Sequence, residues 1–313
     1  MISAGISSVH HAVIGDAGLE IVIHDDTWLA AASLLPDGPR SLVAGRIICG
    51  GPVPTSGQGP PDFDDGDARG WTQRPVPLLL MGAARVLIGD GVVTIAAEPG
   101  RSAEAFDRAL PVTLTWLLGP ADRWVVHAAA LVGPDGQAVV AVGPGGAGKS
   151  TVAAAAFAAG WPVLADDLVV IRPGAGGLEV CGVPRPLAVP AEFHHLGPAI
   201  RDDPRRRRRI SGALTGGWWP IGRLAVLAHG VGESTTSRPI ESMDAFLAVR
   251  TAHFAADVPS RMAGWFPIAG RLARLPAERL ALGTRDDDRL ATTIEALAAP
   301  AAVTATASRP PPR

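Results

Sequence analysis

Lysine is almost missing from this 313-residue chain: Lys149 is the single one among 28 basic residues, in a sequence otherwise rich in arginine and alanine. That bias suits a GC-rich genome, and the one survivor falls inside a glycine-rich run. Cysteine is nearly as scarce. Cys49 and Cys181 are far apart and sit in no Cys-x-x-Cys or Cys/His spacing, which argues against a disulfide framework and a zinc site and fits a reducing cytoplasm. Excess charge of either sign is also absent: the net charge is −2 and the pI near 6.4, so no global basic field recruits nucleic acid or an anionic membrane. Long apolar runs are missing too. The greasiest, Val76 to Ile88, is broken by Pro77, Gly82 and Arg85, and the N-terminus has no basic stretch followed by an apolar core. Neither a membrane span nor a signal peptide is expected.

What is present suffices for one large domain or two modest ones, with 47% hydrophobic residues to build a core. The first hundred residues read as short strands, Leu19 to Ile23, Leu42 to Cys49, Val76 to Met81, Ala84 to Ile88 and Val92 to Ala97, separated by turn-forming residues. Ser102 to Leu118 reads as a helix with Ser102 as its N-cap and Gly119-Pro120 as its stop. Trp124 to Val132 and Gln137 to Val142 read as two strands joined by the hairpin signal Gly133-Pro134-Asp135-Gly136. A helix over Thr151 to Ala159, a strand over Val163 to Ile171, a loop over Arg172 to Gly177, a buried strand over Leu224 to Ala228 and a last helix over Asp286 to Leu297 follow. The expected organisation is a β-rich N-terminal module over 1–100, an α/β domain with a mixed sheet over 101–298, and a disordered Ala/Pro-rich tail over 299–313.

The chemistry concentrates in Gly143-Pro144-Gly145-Gly146-Ala147-Gly148-Lys149-Ser150, followed by Thr151, which matches G-x-x-x-x-G-K-[ST] between a strand and a helix. Glycines let successive backbone N–H groups turn onto phosphates, and the helix aims its positive end at them. Lys149 then reaches the β/γ oxygens and Ser150 ligates Mg²⁺. A compact ammonium between phosphates is not readily exchanged for a planar guanidinium, which explains the surviving lysine. Asp166-Asp167 follow Ser150 by only sixteen and seventeen residues, early for the acidic metal residue of such loops. Two acids beside a γ-phosphate have separable tasks: one can hold Mg²⁺ while the other accepts the proton of an attacking hydroxyl. His127 lies in the apolar run just before, where a histidine is usually a core residue, yet it is close to the loop.

Taken together, His127, the loop Gly143 to Ser150 and Leu164-Ala165-Asp166-Asp167 resemble the HPr kinase/phosphorylase family, with its histidine, GxSGxGKS loop and V-A-D-D stretch at the same loop-to-acid spacing. The likeness covers about residues 120 to 190 and looks closest to the short, single-module relatives found beside ribosomally made peptide clusters, such as lasso-peptide tailoring kinases, where Gly182-Val183-Pro184-Arg185-Pro186-Leu187 also has a counterpart. The resemblance implies an HPr kinase-like P-loop core in which Lys149 and Ser150 hold phosphate and metal. It implies Asp167 as proton acceptor, Asp166 as its metal-side neighbour and His127 as support for the pair. The family's glutamate-bearing L-E-I-R-G-like segment and C-terminal phosphorylase signature have no match; Glu179 and Glu192 are substitutes without motif support. A forward kinase using ATP and Mg²⁺ on a serine of a peptide or small protein is therefore expected.

Other candidates have blander readings. Arg185 is a candidate for the substrate side; the run Arg205 to Arg209 could bind an acidic peptide or be a solvated loop. Trp218-Trp219-Pro220 reads as core packing or a docking surface, and His10-His11 and His194-His195 lack a third ligand at metal spacing. Two further functions stay open: a small-molecule kinase acting on free serine or a sugar, and a nucleotide-responsive binding protein without transfer. A homo-oligomer is also open.

Overall fold

The computed structural model describes residues 8–32, 35, 43–57, 59–64, 68–73, 76–190, 196, 201–203, 207–210, 215–230, 234–254, 259–283 and 289–298. The expected tail, Glu192, His194, His195, Arg205 and Arg206 lie outside them.

Two mixed sheets carry the chain. The first holds β1 (Ser8–Ile14), β2 (Ala17–Ile23), β3 (Val43–Cys49), β4 (Phe63–Asp64), β5 (Ala68–Trp71), β6 (Leu78–Met81), β7 (Ala84–Ile88) and β8 (Val92–Ala97), in the spatial order β1-β2-β3-β8-β7-β6-β5-β4. The hairpins are antiparallel, while β2, β3 and β8 run parallel. Side chains alternate as period-two burial requires: Ala84, Val86 and Ile88 face the core while Arg85 and Leu87 are half-buried on the other face. A short helix α1 (Leu29–Ala32) follows β2.

Helix α2 (Ser102–Leu118) lies on this sheet, burying Ala105, Phe106, Ala109, Leu110, Leu114 and Leu118 at helical spacing. Ser102 is not its N-cap. Arg101 occupies that position, and the Ser102 hydroxyl meets Thr27 Oγ1 at 2.8 Å instead. The apolar cluster around α2 includes residues of the first sheet together with Val125, Val170 and Cys181 of the second and Leu168 and Val183 beside its strands. The expected boundary near residue 100 falls between β8 and α2, and the core continues across it. Asp16, in the β1–β2 turn, extends the contact through Arg123 at 2.9 Å and Arg172 at 2.8 Å.

The second sheet is built from β9 (Trp124–Val126), β10 (Ala128–Val132), β11 (Ala138–Val142), β12 (Val163–Ala165), β13 (Val169–Gly174) and β14 (Gly177–Gly182). A three-stranded side sheet, β15 (Leu187–Pro190), β16 (Arg201–Asp203) and β17 (Arg207–Ile210), precedes its remaining members β18 (Trp219–Ala228), β19 (Thr236–Pro239) and β20 (Ala277–Ala281). The order is β12-β10-β11-β18-β14-β13-β9, with β20 beside β18 and β19 beside β20. Helix α3 (Lys149–Ala158) packs on one face with α6 (Arg289–Ala298), and α4 (Ser242–Arg250) and α5 (Pro259–Leu272) cover the other.

The second sheet differs from the sequence reading in several places, one of them β18, which begins at Trp219 where the expected strand starts at Leu224. Trp124 to Val132 is two strands interrupted at His127, and Val163 to Ile171 is two strands interrupted at Asp166 to Leu168. Arg172 to Gly177, expected as a loop, is mostly paired: β13 runs to Gly174 and returns through a tight turn into β14. No helix among the described residues is long and apolar enough to cross a membrane.

Candidate functional site

Strand β11 is buried at all five positions, so it enters the sheet centre, and the chain then turns through the glycine run into α3. Sterics require glycine at two points of that turn. A Cβ on Gly143 would lie 2.7 Å from the Leu227 carbonyl oxygen, and one on Gly148 would lie 2.3 Å from Leu282 Cδ1 at φ = +107°. Gly146 is also left-handed, at φ = +79°. Gly148 caps α3 with no side-chain hydrogen bond, which leaves the first-turn N–H groups available to an anion.

Lys149 is buried, and its Nζ donates to the carbonyls of Gly143 at 2.7 Å and Pro144 at 3.1 Å. Burial lowers its pKa, while the nearby charge of Asp167 acts in the opposite direction. Thr151 is buried on the inner side of α3.

The two strand interruptions face each other. β9 pairs with β13 through Val126 and Val169, and β10 pairs with β12 through Ala130 and Ala165. Between these pairings the ladder opens, and the released residues are His127 on one side and Asp166-Asp167 on the other. His127 Nε2 and Asp167 Oδ1 meet there at 3.0 Å. The imidazole is pinned from behind: its backbone N–H donates to Ala252 O at 2.7 Å and its ring stacks on Phe254 with centroids 5.6 Å apart. Gly182, the last residue of β14, permits close approach to β12, since a Cβ there would sit 1.7 Å from the Leu164 carbonyl oxygen.

The acids have different surroundings. Asp166 is 3% exposed, and its Oδ2 accepts from Ala188 N at 3.1 Å and, at the outer limit of a hydrogen bond, from Ser150 Oγ at 3.4 Å. The Asp167 side chain is 41% exposed, with Arg185 Nη1 3.9 Å from its Oδ2. Arg185, a candidate for the substrate side, is itself 8% exposed, and Asp107 of α2 holds its Nη2 at 2.5 Å. Sequence reasoning missed Asp107, Phe254 and the α4 segment near His127. Asp107 carries a weak signal: it is a charge in a helix that otherwise buries an apolar stripe.

A cavity of ≈ 380 Å³ opens beside the loop, lined by His127, Gly143 to Gly145, Val226, Leu227, Ala248, Thr251 and Ala252. Among the described residues no group of three or more His, Cys, Asp or Glu side chains forms a metal cage. A magnesium ion that keeps substrate oxygens and waters needs only one or two protein ligands. Ser150 Oγ and Asp166 Oδ2, 3.4 Å apart, are neighbouring hard oxygens of the kind Mg²⁺ takes, so this pair fits that ion. Glu179 instead accepts from Arg172 Nε at 2.9 Å. Arg207, Arg208 and Arg209 lie on β17, and Trp218 packs under the Arg172 guanidinium, 3.9 Å from the ring centroid.

No family model matches the chain, and no curated protein matches it. Among solved structures, the chain is similar to the Hpr(Ser) kinase/phosphatase from Coxiella burnetii, at 14% identity and a TM-score of 0.24, over 37% of this chain and 72% of that one.

Proposed function

We propose that the chain is an ATP-dependent kinase that transfers the γ-phosphate to a hydroxyl, with a serine of a peptide or small protein as acceptor. The observation that carries this reading is the convergence of the glycine loop, Lys149, Ser150, Asp166, Asp167 and His127 through two facing strand breaks. Residues Gly143 to Thr151 would cradle the triphosphate with backbone N–H groups and the α3 N-terminus. Lys149 would hold β/γ oxygens, and Ser150 with Asp166 would hold Mg²⁺, which screens the phosphate charge. Burial beside Ser150 suits Asp166 to the metal side, and exposure suits Asp167 to an incoming alcohol.

The transfer balances simply. As the acceptor oxygen bonds to the γ-phosphorus, its proton passes to Asp167, the bond to the β-phosphate oxygen breaks and ADP leaves. His127 orients Asp167 through the 3.0 Å contact. Localisation in the cytoplasm, the absence of nucleic-acid or membrane partners and a kinase domain over 101–298 belong to the same proposal, which leaves a homo-oligomer open. The test is calorimetry with Mg-ATP, followed by mass spectrometry of peptides encoded by neighbouring genes after incubation with the protein and Mg-ATP. Phosphate-mass increments that vanish with Lys149→Ala support the reading; no Mg-ATP binding by the wild type sinks it.

A further inference from the structure

A second cavity, of ≈ 560 Å³, lies at the first sheet, and none of its lining residues belongs to the glycine loop or to the acid pair. Strands β2, β3 and β8 run parallel, and the chain leaving each of them helps to form it: Asp25, Thr27 and Trp28 after β2, Gly50 to Val53 after β3, and Glu98 to Gly100 after β8. The carboxyl ends of parallel strands are where open α/β sheets take ligands, and the volume suits one small molecule. Ser102, the first residue of α2, lines the cavity too, and its hydroxyl meets Thr27 Oγ1 at 2.8 Å. Backbone bonds hold the frame: His24 N–H donates to Cys49 O at 3.0 Å and Gly50 N–H to Ile95 O at 2.9 Å.

Charges of both signs line this cavity without meeting. Arg85 of β7 is half-buried, its Nε is buried with no hydrogen-bond partner, and no carboxylate among the described residues pairs with it. Asp25 is the opposite pole: among the described residues it accepts only from Thr27 of its own turn, through the backbone N–H at 3.0 Å and through the hydroxyl. Glu98, the third charged residue of the lining, is matched from outside by Arg101 Nη1 at 2.9 Å. A guanidinium drawn out of water without a counter-charge is costly, and a carboxylate relieves that cost through two parallel hydrogen bonds. The start of α2 adds to the attraction, since its cap residue Arg101 gives the first turn no side-chain hydrogen bond. A polyanion does not suit the space, because Asp25 and Glu98 repel whatever negative charge is left once Arg85 is matched. A ligand with one carboxylate and one ammonium satisfies both poles. Much of the remaining lining is apolar, with Trp28 at 2% exposure beside Pro52, Val53, Ala97 and Pro99.

We infer that this cavity is a binding site for a free α-amino acid with an apolar side chain, its carboxylate on Arg85 and the start of α2, its ammonium on Asp25 and its side chain against Trp28. The inference goes beyond the kinase reading and does not rest on it. Such a ligand brings no hydroxyl to phosphorylate, and it meets no residue proposed for the transfer.

The test is calorimetry on the full-length protein without nucleotide, titrated with leucine, isoleucine, valine and phenylalanine, then with the N-acetyl and amide derivatives of the tightest binder, and with acetate and inorganic phosphate. At least one of the amino acids is expected to bind, and blocking either end should weaken it about tenfold or more, as loss of a charge-assisted contact requires. In folded variants, Arg85→Met should abolish the penalty for the amide. Asp25→Asn, which keeps an oxygen for Thr27, should abolish the penalty for the N-acetyl form. Saturating Mg-ATP should leave the affinity unchanged. The inference is overturned if none of the amino acids binds, if a blocked form, acetate or phosphate binds as tightly as the free amino acid, or if either folded variant discriminates as the wild type does. Displacement by Mg-ATP also overturns it, by placing the amino acid in the glycine loop. Should a variant fail to fold, the blocked derivatives on the wild type still decide.

Discussion

The two sheets handle their strands in opposite ways. In the first, β1 and β2 pair over seven consecutive positions and β7 and β8 over five, and alternate residues along them serve the core. In the second, two strands stop mid-sheet and release His127, Asp166 and Asp167 from the ladder. Unbroken pairing satisfies backbone groups and leaves no room for chemistry. A pair of facing breaks exposes polar side chains on a scaffold that stays rigid on both sides of the gap. The first sheet should therefore respond to mutation mainly through stability, and the second through activity.

The sharpest attempt to break that contrast is Asp167→Asn. With its side chain 41% exposed, the change should leave the thermal midpoint nearly unchanged while phosphotransfer falls about 10²–10⁴-fold, measured by initial rates at saturating Mg-ATP. A wild-type rate would remove Asp167 as proton acceptor. Conversely, Ile47→Ala on β3, where the residue is fully buried, should lower unfolding free energy by about 2–5 kcal/mol in a denaturant titration. The folded fraction should bind Mg-ATP as the wild type does; a weakened site would show that the sheets are not separable.

Arg185 sits between the two regimes, since it links Asp107 of α2 to Asp167. Arg185→Ala should cost about 2 kcal/mol of stability, reduced from the fully buried case because Asp107 is partly solvated, and should also lower transfer. Loss of one without the other would assign the arginine to a single side of the comparison. The smallest effect concerns the thiols. Burial, reinforced by Asp25 for Cys49 and by Asp16 for Cys181, pushes both pKa values up to about 12 from 9.0. A raised folded pKa stabilises fully below the unfolded value and loses that contribution as pH climbs from about 9 to about 12. Both cysteines should thus resist a disulfide reagent at pH 8 until the protein unfolds, and fast labelling of either would contradict its burial.

The first sheet was readable because period-two alternation and turn residues coincide there: all five expected strands match to within two residues at each end. β1 was missed because His10 and His11 blur its pattern. The loop, its flanking strand and α3 were readable from glycine spacing and a solitary lysine. The two breaks were invisible because Val125-Val126 and Ala128-Ala129, like Leu164-Ala165 and Leu168-Val169, form apolar runs that look continuous around the polar residues. Arg185 was singled out in the sequence without its partner, since Asp107 is 78 residues away and only the tertiary packing of α2 brings them together.

The ammonium of Lys149, shared between two carbonyls of its own loop, bears on any anion that arrives there. Under the proposed reading such a visitor would have to outcompete oxygens already in place, so the turn would act as its own competitive inhibitor. A singly charged ion offers little over two neutral acceptors, whereas a chain of phosphates offers both higher charge and several points of attachment. Selectivity for polyphosphate over the common small anions of a cell would thus be written into one side chain's existing loyalties.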